Sequence, residues 1–144
     1  MAKGGTAGAR SRARELAVQA LYQHQINERG IDELIGQFRE RPEFNRVDQG
    51  YFEESLRNIC GNSDSLDEII RKFADRPLEQ LDPVEHAILL QGVHELESRS
   101  DIPFRVVINE AVNLAKMFGS LDGHKYVNAV LDRAAAGLRP ADKA

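Results

Sequence analysis

Apolar residues recur at three- and four-residue steps along most of the chain. The clearest run lies between Pro103 and Leu131. Phe104, Val107, Ile108, Ala111, Leu114, Ala115 and Phe118 share one face of a 3.6-residue period, which predicts an amphipathic helix. Pro103 suits its first turn, and Gly119 suits the left-handed position that ends a helix. Val127, Val130, Leu131 and Ala134 repeat the pattern beyond a short loop. Two such stripes need a partner surface, which the rest of the chain must supply.

The remaining elements follow from the same period. Ala13, Leu16, Ala17, Ala20 and Leu21 form the buried stripe of a helix from about Arg10 to Glu28, ended by Gly30. Arg10, Arg14 and, further on, Gln25 or Arg29 can lie away from that stripe. Ile31, Leu34, Ile35 and Phe38 predict a second helix closed by Pro42. Tyr51, Phe52, Leu56 and Ile59 mark a third, ended by Gly61. Ser65 with Glu68 reads as a capping box for a fourth, with Leu66, Ile69, Ile70 and Phe73 in phase. Asp82-Pro83-Val84-Glu85 is a dense start signal, with an N-cap, a first-turn proline and an acid at the third position. The helix behind it contains Ala87-Ile88-Leu89-Leu90 in succession. Apolar over so much of its circumference, it should be central and pack on both C-terminal helices. Nothing alternates with period two for long, so no strand is predicted. The expectation is an all-α fold of about seven helices.

Length and composition narrow the class. At 144 residues the chain suits one domain with a sizeable core. The expected organisation is a disordered basic tail over residues 1–9, one helical domain over 10–140 and a flexible end over 141–144. A single cysteine, Cys60, excludes an internal disulfide and any multi-cysteine metal site, and fits a reducing cytoplasm. No run is long enough for a membrane span, and no signal-peptide core follows Lys3. The net charge of -4 argues against nucleic acid until its distribution is seen. Up to Arg14 the chain carries Lys3, Arg10, Arg12 and Arg14 and no acid. A basic patch on an acidic body can still serve phosphates, because phosphate contacts need only local complementarity.

Catalytic chemistry finds no support. His24, His86, His94 and His124 lack metal-cluster spacing, and His94-Glu95 lacks the second histidine of a zincin helix. The glycines form no phosphate loop, and Glu53-Glu54 and Asp67-Glu68 read as solvated helix faces. No metal, cofactor or catalytic residue is expected. Arg10, Arg12 and Arg14 are either a solvated basic terminus or an RNA-binding segment, since arginines fork onto phosphates and stack on bases. Tyr22 is either a half-buried core ring or a stacking platform beside them. Lys125-Tyr126, after His124, puts a cation and an aromatic at a helix start, where free N–H groups favour a phosphate. There Tyr126 either stacks on a base or packs in the core. Asn109 and Glu110 are polar within an apolar helix, which points to bonds with a neighbouring loop.

The run I-N-E-A-V-N-L-A-K-M-F-G, followed by H-K-Y-V-N-A-V-L-D, resembles the C-terminal signature of the NusB family of bacterial transcription antitermination factors. A-R-S-R-A-R-E-L-A-V-Q-A-L-Y-Q resembles that family's arginine-rich first helix, and the resemblance spans Arg10 to about Pro140. It implies two small packed helical bundles, three N-terminal helices against four C-terminal ones. It also implies a cytoplasmic, non-enzymatic protein that binds boxA-like single-stranded RNA in nascent ribosomal transcripts. The implied RNA contacts are Lys3, Arg10, Arg12, Arg14, Tyr22, Lys125 and Tyr126. The implied protein partner is NusE, a small ribosomal protein, meeting Glu79 and Glu85, with RNA polymerase and other Nus factors engaged indirectly. Two positions depart from the pattern: Ser11, where relatives often carry an arginine, and Leu90, where many carry a base. The alternative is a helical protein-interaction adaptor with weak RNA binding. A third class is an RNA-modifying enzyme, since some ribosomal-RNA methyltransferases carry a NusB-like domain; without a nucleotide-binding segment this chain would at most be such a domain alone.

Overall fold

The apolar stripe of the first predicted helix finds its partners in the second and third. The computed structural model describes residues 8–27 and 29–143, and the chain divides into two compact units, Met1–Gly61 and Asn62–Ala144. In the first unit α1 (Ala9–Asn27), α2 (Ile31–Arg39) and α3 (Gln49–Gly61) pack on one another. Ala13, Leu16, Ala17, Ala20 and Leu21 are all buried, as their spacing predicts. Leu34, Ile35 and Phe38 of α2 and Tyr51, Phe52, Leu56 and Ile59 of α3 complete the core. The rings of Phe38 and Phe44 meet Phe52 at centroid distances of 5.7 and 5.5 Å. Such pairs add about 0.5–1.5 kcal/mol beyond their burial. Phe44 lies on a 3-10 helix, Pro42–Arg46, so Pro42 opens a short element as well as closing α2. Asp48 then starts α3: its carboxylate accepts the Tyr51 amide at 3.1 Å, while its own amide donates to the Ala9 carbonyl at 3.0 Å.

The second unit contains α4 (Ser63–Phe73), a 3-10 helix (Leu78–Gln80), α5 (Pro83–Ser98), α6 (Phe104–Phe118), α7 (Gly123–Leu138) and a single turn, α8 (Pro140–Lys143). The α5 helix is buried without interruption from Ala87 to Leu96 and packs on α4, α6 and α7. Its start matches the sequence signal: the Asp82 carboxylate accepts the Val84 amide at 2.8 Å, with Pro83 in the first turn. Gly92 lets α5 approach α7 closely, since a Cβ there would lie 2.8 Å from Leu131 Cδ1. Among the described residues no strand forms, and no helix is long and apolar enough to cross a membrane.

Arg139 holds the far end of α5. Its buried guanidinium donates to the carbonyls of Leu96 and Glu95 at 2.9 Å, Arg99 at 2.7 Å and Ile102 at 2.5 Å. Helix C-termini leave carbonyls without intrahelical partners, and a charged fork satisfies several together.

Two local expectations fail. The Ser65–Glu68 capping box is not used, because α4 already begins at Ser63, and Leu66 donates to the Asn62 carbonyl at 3.0 Å. Ser65 therefore sits inside the first turn. Gly119 does not take a left-handed conformation; its φ is -89°. Glycine is needed there for a different reason: a Cβ would lie 2.7 Å from the Ala115 carbonyl oxygen.

Candidate nucleic-acid interface

The basic segment of the first unit is less open than its sequence suggests. Arg12 is exposed. Arg10 is half-exposed, with its guanidinium 4.5 Å from the Tyr51 ring centroid and 3.8 Å from the Asp48 carboxylate. Arg14 is only 4% exposed and lies 5.5 Å from the same ring. The expectation that Arg14 lies away from the stripe is therefore corrected. Arg14, Ala17 and Leu21 follow each other at three- and four-residue steps, so Arg14 continues the buried line that α3 covers. Ser11 is half-buried and engaged. Lys3 lies outside the described residues. Tyr22 stands at the surface, 38% exposed, one helical turn from the exposed Ile26.

The start of α7, in the second unit, gathers more than the sequence shows. Lys125 is 74% exposed and 3.5 Å from Asp122. Tyr126 is half-buried, and its hydroxyl is buried without a hydrogen-bond partner. Burial pushes its phenol above the ordinary range, partly offset by the Arg76 guanidinium. That guanidinium lies 4.0 Å from the ring centroid, and its side chain is 45% exposed. Nearby, Arg133 donates from Nε to the Phe73 carbonyl at 2.9 Å, and Lys72 lies 5.7 Å from the Phe73 ring. Arg76 and Arg133 escaped sequence reading, because Arg76 meets its ring fifty positions along the chain. Tyr126 thus sends its hydroxyl into the interior, and its ring carries an exposed cation.

The acids proposed for a protein partner separate. Glu79 is exposed on the 3-10 helix before α5, beside a shallow depression lined also by Arg71, Arg76 and Leu78. Glu85 is 3% exposed and accepts the Ser120 hydroxyl at 2.9 Å, so it is withdrawn from direct partner contact. Its place in the first turn suggested a solvated capping acid. The α6–α7 turn covers it instead. Leu90 is in the core, so a base at this position would have to thread its charge outward. Asn109 is exposed in a shallow depression between α6 and α7, and Glu110 is half-buried and engaged.

Among the described residues no group of three or more His, Cys, Asp or Glu side chains could hold a metal ion. His24 bonds the Arg29 carbonyl at 2.8 Å, and His86 meets Asp67 at 2.7 Å, as structural histidines do. The arrangement offers cations and ring faces, groups that can bind phosphates and bases.

The profile of the NusB family matches residues 11–136, across both units. The chain belongs to the NusB family. It is 47% identical over 133 residues to the transcription antitermination protein NusB of Pseudomonas entomophila, covering 92% of this chain and 80% of that protein. With the NusB of Idiomarina loihiensis it shares 43% identity over 132 residues, covering 92% and 95%. The fold is similar to T. maritima NusB, with a TM-score of 0.82 at 27% identity over 92% of this chain and 94% of that one. It is also similar to a chain in a crystal structure of the antitermination factors NusB and NusE in complex with dsRNA, with a TM-score of 0.77 at 23% identity, covering 88% and 96%. The all-α expectation holds, and among the described residues the α-helices divide between the units as three and then four long ones plus a final turn. The resemblance of the two sequence motifs to NusB proteins is confirmed over nearly the whole chain.

Proposed function

We propose that this chain is a transcription antitermination factor of the bacterial cytoplasm. It binds boxA-like single-stranded RNA in nascent ribosomal transcripts, acts with NusE, and through that pair supports assembly of other Nus factors on RNA polymerase. Its relatives are named transcription antitermination proteins, and a similar fold has been crystallised with NusE and dsRNA. The observation that carries the RNA reading is the start of α7. There Arg76, an exposed cation, lies over the Tyr126 ring, and the exposed Lys125 precedes that ring on the same helix turn. Arg12 adds an exposed cation on the first unit, and Tyr22 an exposed ring. Lys3 remains a candidate phosphate contact. Glu79 remains the candidate for NusE.

The second reading, a protein-interaction adaptor with weak RNA binding, gains from the burial of Arg14, which removes one cation from the basic segment. A salt titration separates the two. Labelled boxA-like RNA, offered single-stranded and as a duplex, is titrated with the protein alone and with saturating NusE. The proposal expects saturable single-strand binding whose log affinity falls with log salt by about 0.7 for each phosphate contact. It also expects NusE to tighten RNA binding. By linkage, RNA then tightens the protein pair by the same factor. Binding to NusE with no salt-dependent RNA affinity would establish the adaptor.

A further inference from the structure

Glu85 sits in the first turn of α5, yet its side chain is buried and reaches the α6–α7 turn. Its Oε2 accepts the Ser120 hydroxyl at 2.9 Å, in the turn that joins α6 to α7. The same oxygen lies against Gly123, the first residue of α7: a Cβ on Gly123 would overlap it, and would come within 3.1 Å of Ser120 Oγ. Gly123 is buried, and its amide donates to the Ser120 carbonyl at 3.0 Å. Asp122, the N-cap of α7, makes no side-chain cap bond. The buried anion beside this N-terminus is therefore that of Glu85, where the helix dipole favours negative charge. Lys125 and Tyr126 follow within one turn. The Lys125 amide donates to the Asp122 carbonyl at 3.1 Å, so the turn sets the register of both side chains.

We infer that Glu85 is a positioning residue for RNA recognition. With Ser120 and Gly123 it forms a latch that joins the start of α5 to the start of α7 and fixes where the Tyr126 ring stands. The inference rests on the RNA reading of Tyr126. Glu85 touches no RNA; it acts through the backbone of the 119–123 turn. An acid is required because the position must accept a hydroxyl and face a helix N-terminus together. A Cβ at 123 would have to push the Glu85 carboxylate out of its place, so Gly123→Ala disturbs the latch directly.

The test is a double-mutant cycle on RNA affinity. Ser120→Ala and Glu85→Gln are each made in the parent and in Tyr126→Ala, with thermal unfolding followed on all variants. The probe is the labelled single-stranded RNA of the salt titration. Ser120→Ala removes the latch donor and should weaken RNA binding about fivefold, the scale of one hydrogen bond, without lowering the melting temperature by a comparable amount. Glu85→Gln keeps an oxygen acceptor and should lose less than Ser120→Ala. In the Tyr126→Ala background both losses should shrink towards none, since the residue they position is gone. A purely structural role would give equal losses in both backgrounds and would overturn the latch. So would unchanged affinity of Ser120→Ala where Tyr126→Ala is itself weakened. If Tyr126→Ala binds like the parent, the RNA reading of this end and the latch both fail. If Glu85→Gln is unfolded, Ser120→Ala and Gly123→Ala decide, with the same expected loss and the same disappearance when Tyr126 is absent.

Discussion

Each unit pairs arginine with a tyrosine ring, and the two pairings differ in exposure. In the first unit Arg10 and Arg14 both approach Tyr51, a ring only 4% exposed. In the second, Arg76 lies over half-buried Tyr126 with its own side chain 45% exposed. A desolvated cation–π contact contributes about 2 kcal/mol or more, an exposed one about 0.5–1 kcal/mol. The buried Arg14 contact is therefore the stronger of these and ties α1 to α3. In the proposed RNA reading, the second gives up its cation to a phosphate and keeps its ring for a base. The same residue types are buried in one unit and open to solvent in the other. Solvent access, not residue identity, makes the difference.

The sharpest contrast with Arg76 is Arg139, which is buried and spends its guanidinium on four carbonyls of its own unit. Arg139→Met should cost about 3 kcal/mol or more, since charged hydrogen bonds contribute about 1.5–3 kcal/mol each and do not add fully. Urea unfolding followed by circular dichroism measures this. A loss below the range for a single such bond would mean the clamp is ornamental.

The comparison can be broken next at the basic segment. Arg14→Met should destabilise the protein by about 1–3 kcal/mol while leaving the salt slope of RNA binding unchanged. Arg12→Ala should shift stability by no more than about 0.5 kcal/mol. It should also flatten the RNA salt slope by about 0.7. If the two variants exchange these phenotypes, burial is a poor guide to function here.

Tyr126 sharpens the comparison from the other unit. Tyr126→Ala should lose RNA affinity about tenfold, since stacking contributes on the order of 1–3 kcal/mol per base. Tyr126→Phe removes a buried hydroxyl that has no hydrogen-bond partner, so RNA affinity should hold and the melting temperature should stay level or rise. Burial also raises the phenol's pKa, so the fold favours the neutral form. That stability is complete below the ordinary tyrosine range and is lost as pH climbs through and beyond it. In Tyr126→Phe this alkaline loss should be smaller in pH-dependent unfolding.

The smallest expected effect is at Cys60 on α3. Burial pushes its thiol up to about 11 from 9.0. Alkylation by iodoacetamide should be slow at neutral pH and keep accelerating past pH 9. A plateau near pH 9 would place the thiol in water.

Much of the fold is legible along the chain because helix formation is local. The stripes of α1, α2, α3, α6 and α7 follow from spacing alone, and most of their members are buried where the period puts them, while Ile31, Phe104, Ile108 and Phe118 at the helix ends and margins are half-buried. Asp82-Pro83 starts α5 as read, since an N-cap acts within three residues. The central place of α5 was legible too, because a helix apolar around its circumference can only be enclosed. The candidate site was legible in part. Arg12, Lys125 and the Tyr126 ring stand at or near the surface, whereas Arg14 and Glu85 do not.

What the sequence determined by itself is therefore the set of helices, their buried faces and the family. What only the tertiary structure decided is which polar residue meets which neighbour. Arg14 is buried because α3 lies over the line of Ala17 and Leu21. Glu85 is internal because a turn thirty-five positions later closes on it. Arg139 finds carbonyls about forty positions back, and Arg76 finds its ring fifty positions ahead. Periodicity reports how a side chain is placed on its own helix, because that depends on residues three and four away. A charged group's role depends on the dielectric and the partners supplied by other helices, and no local spacing encodes those.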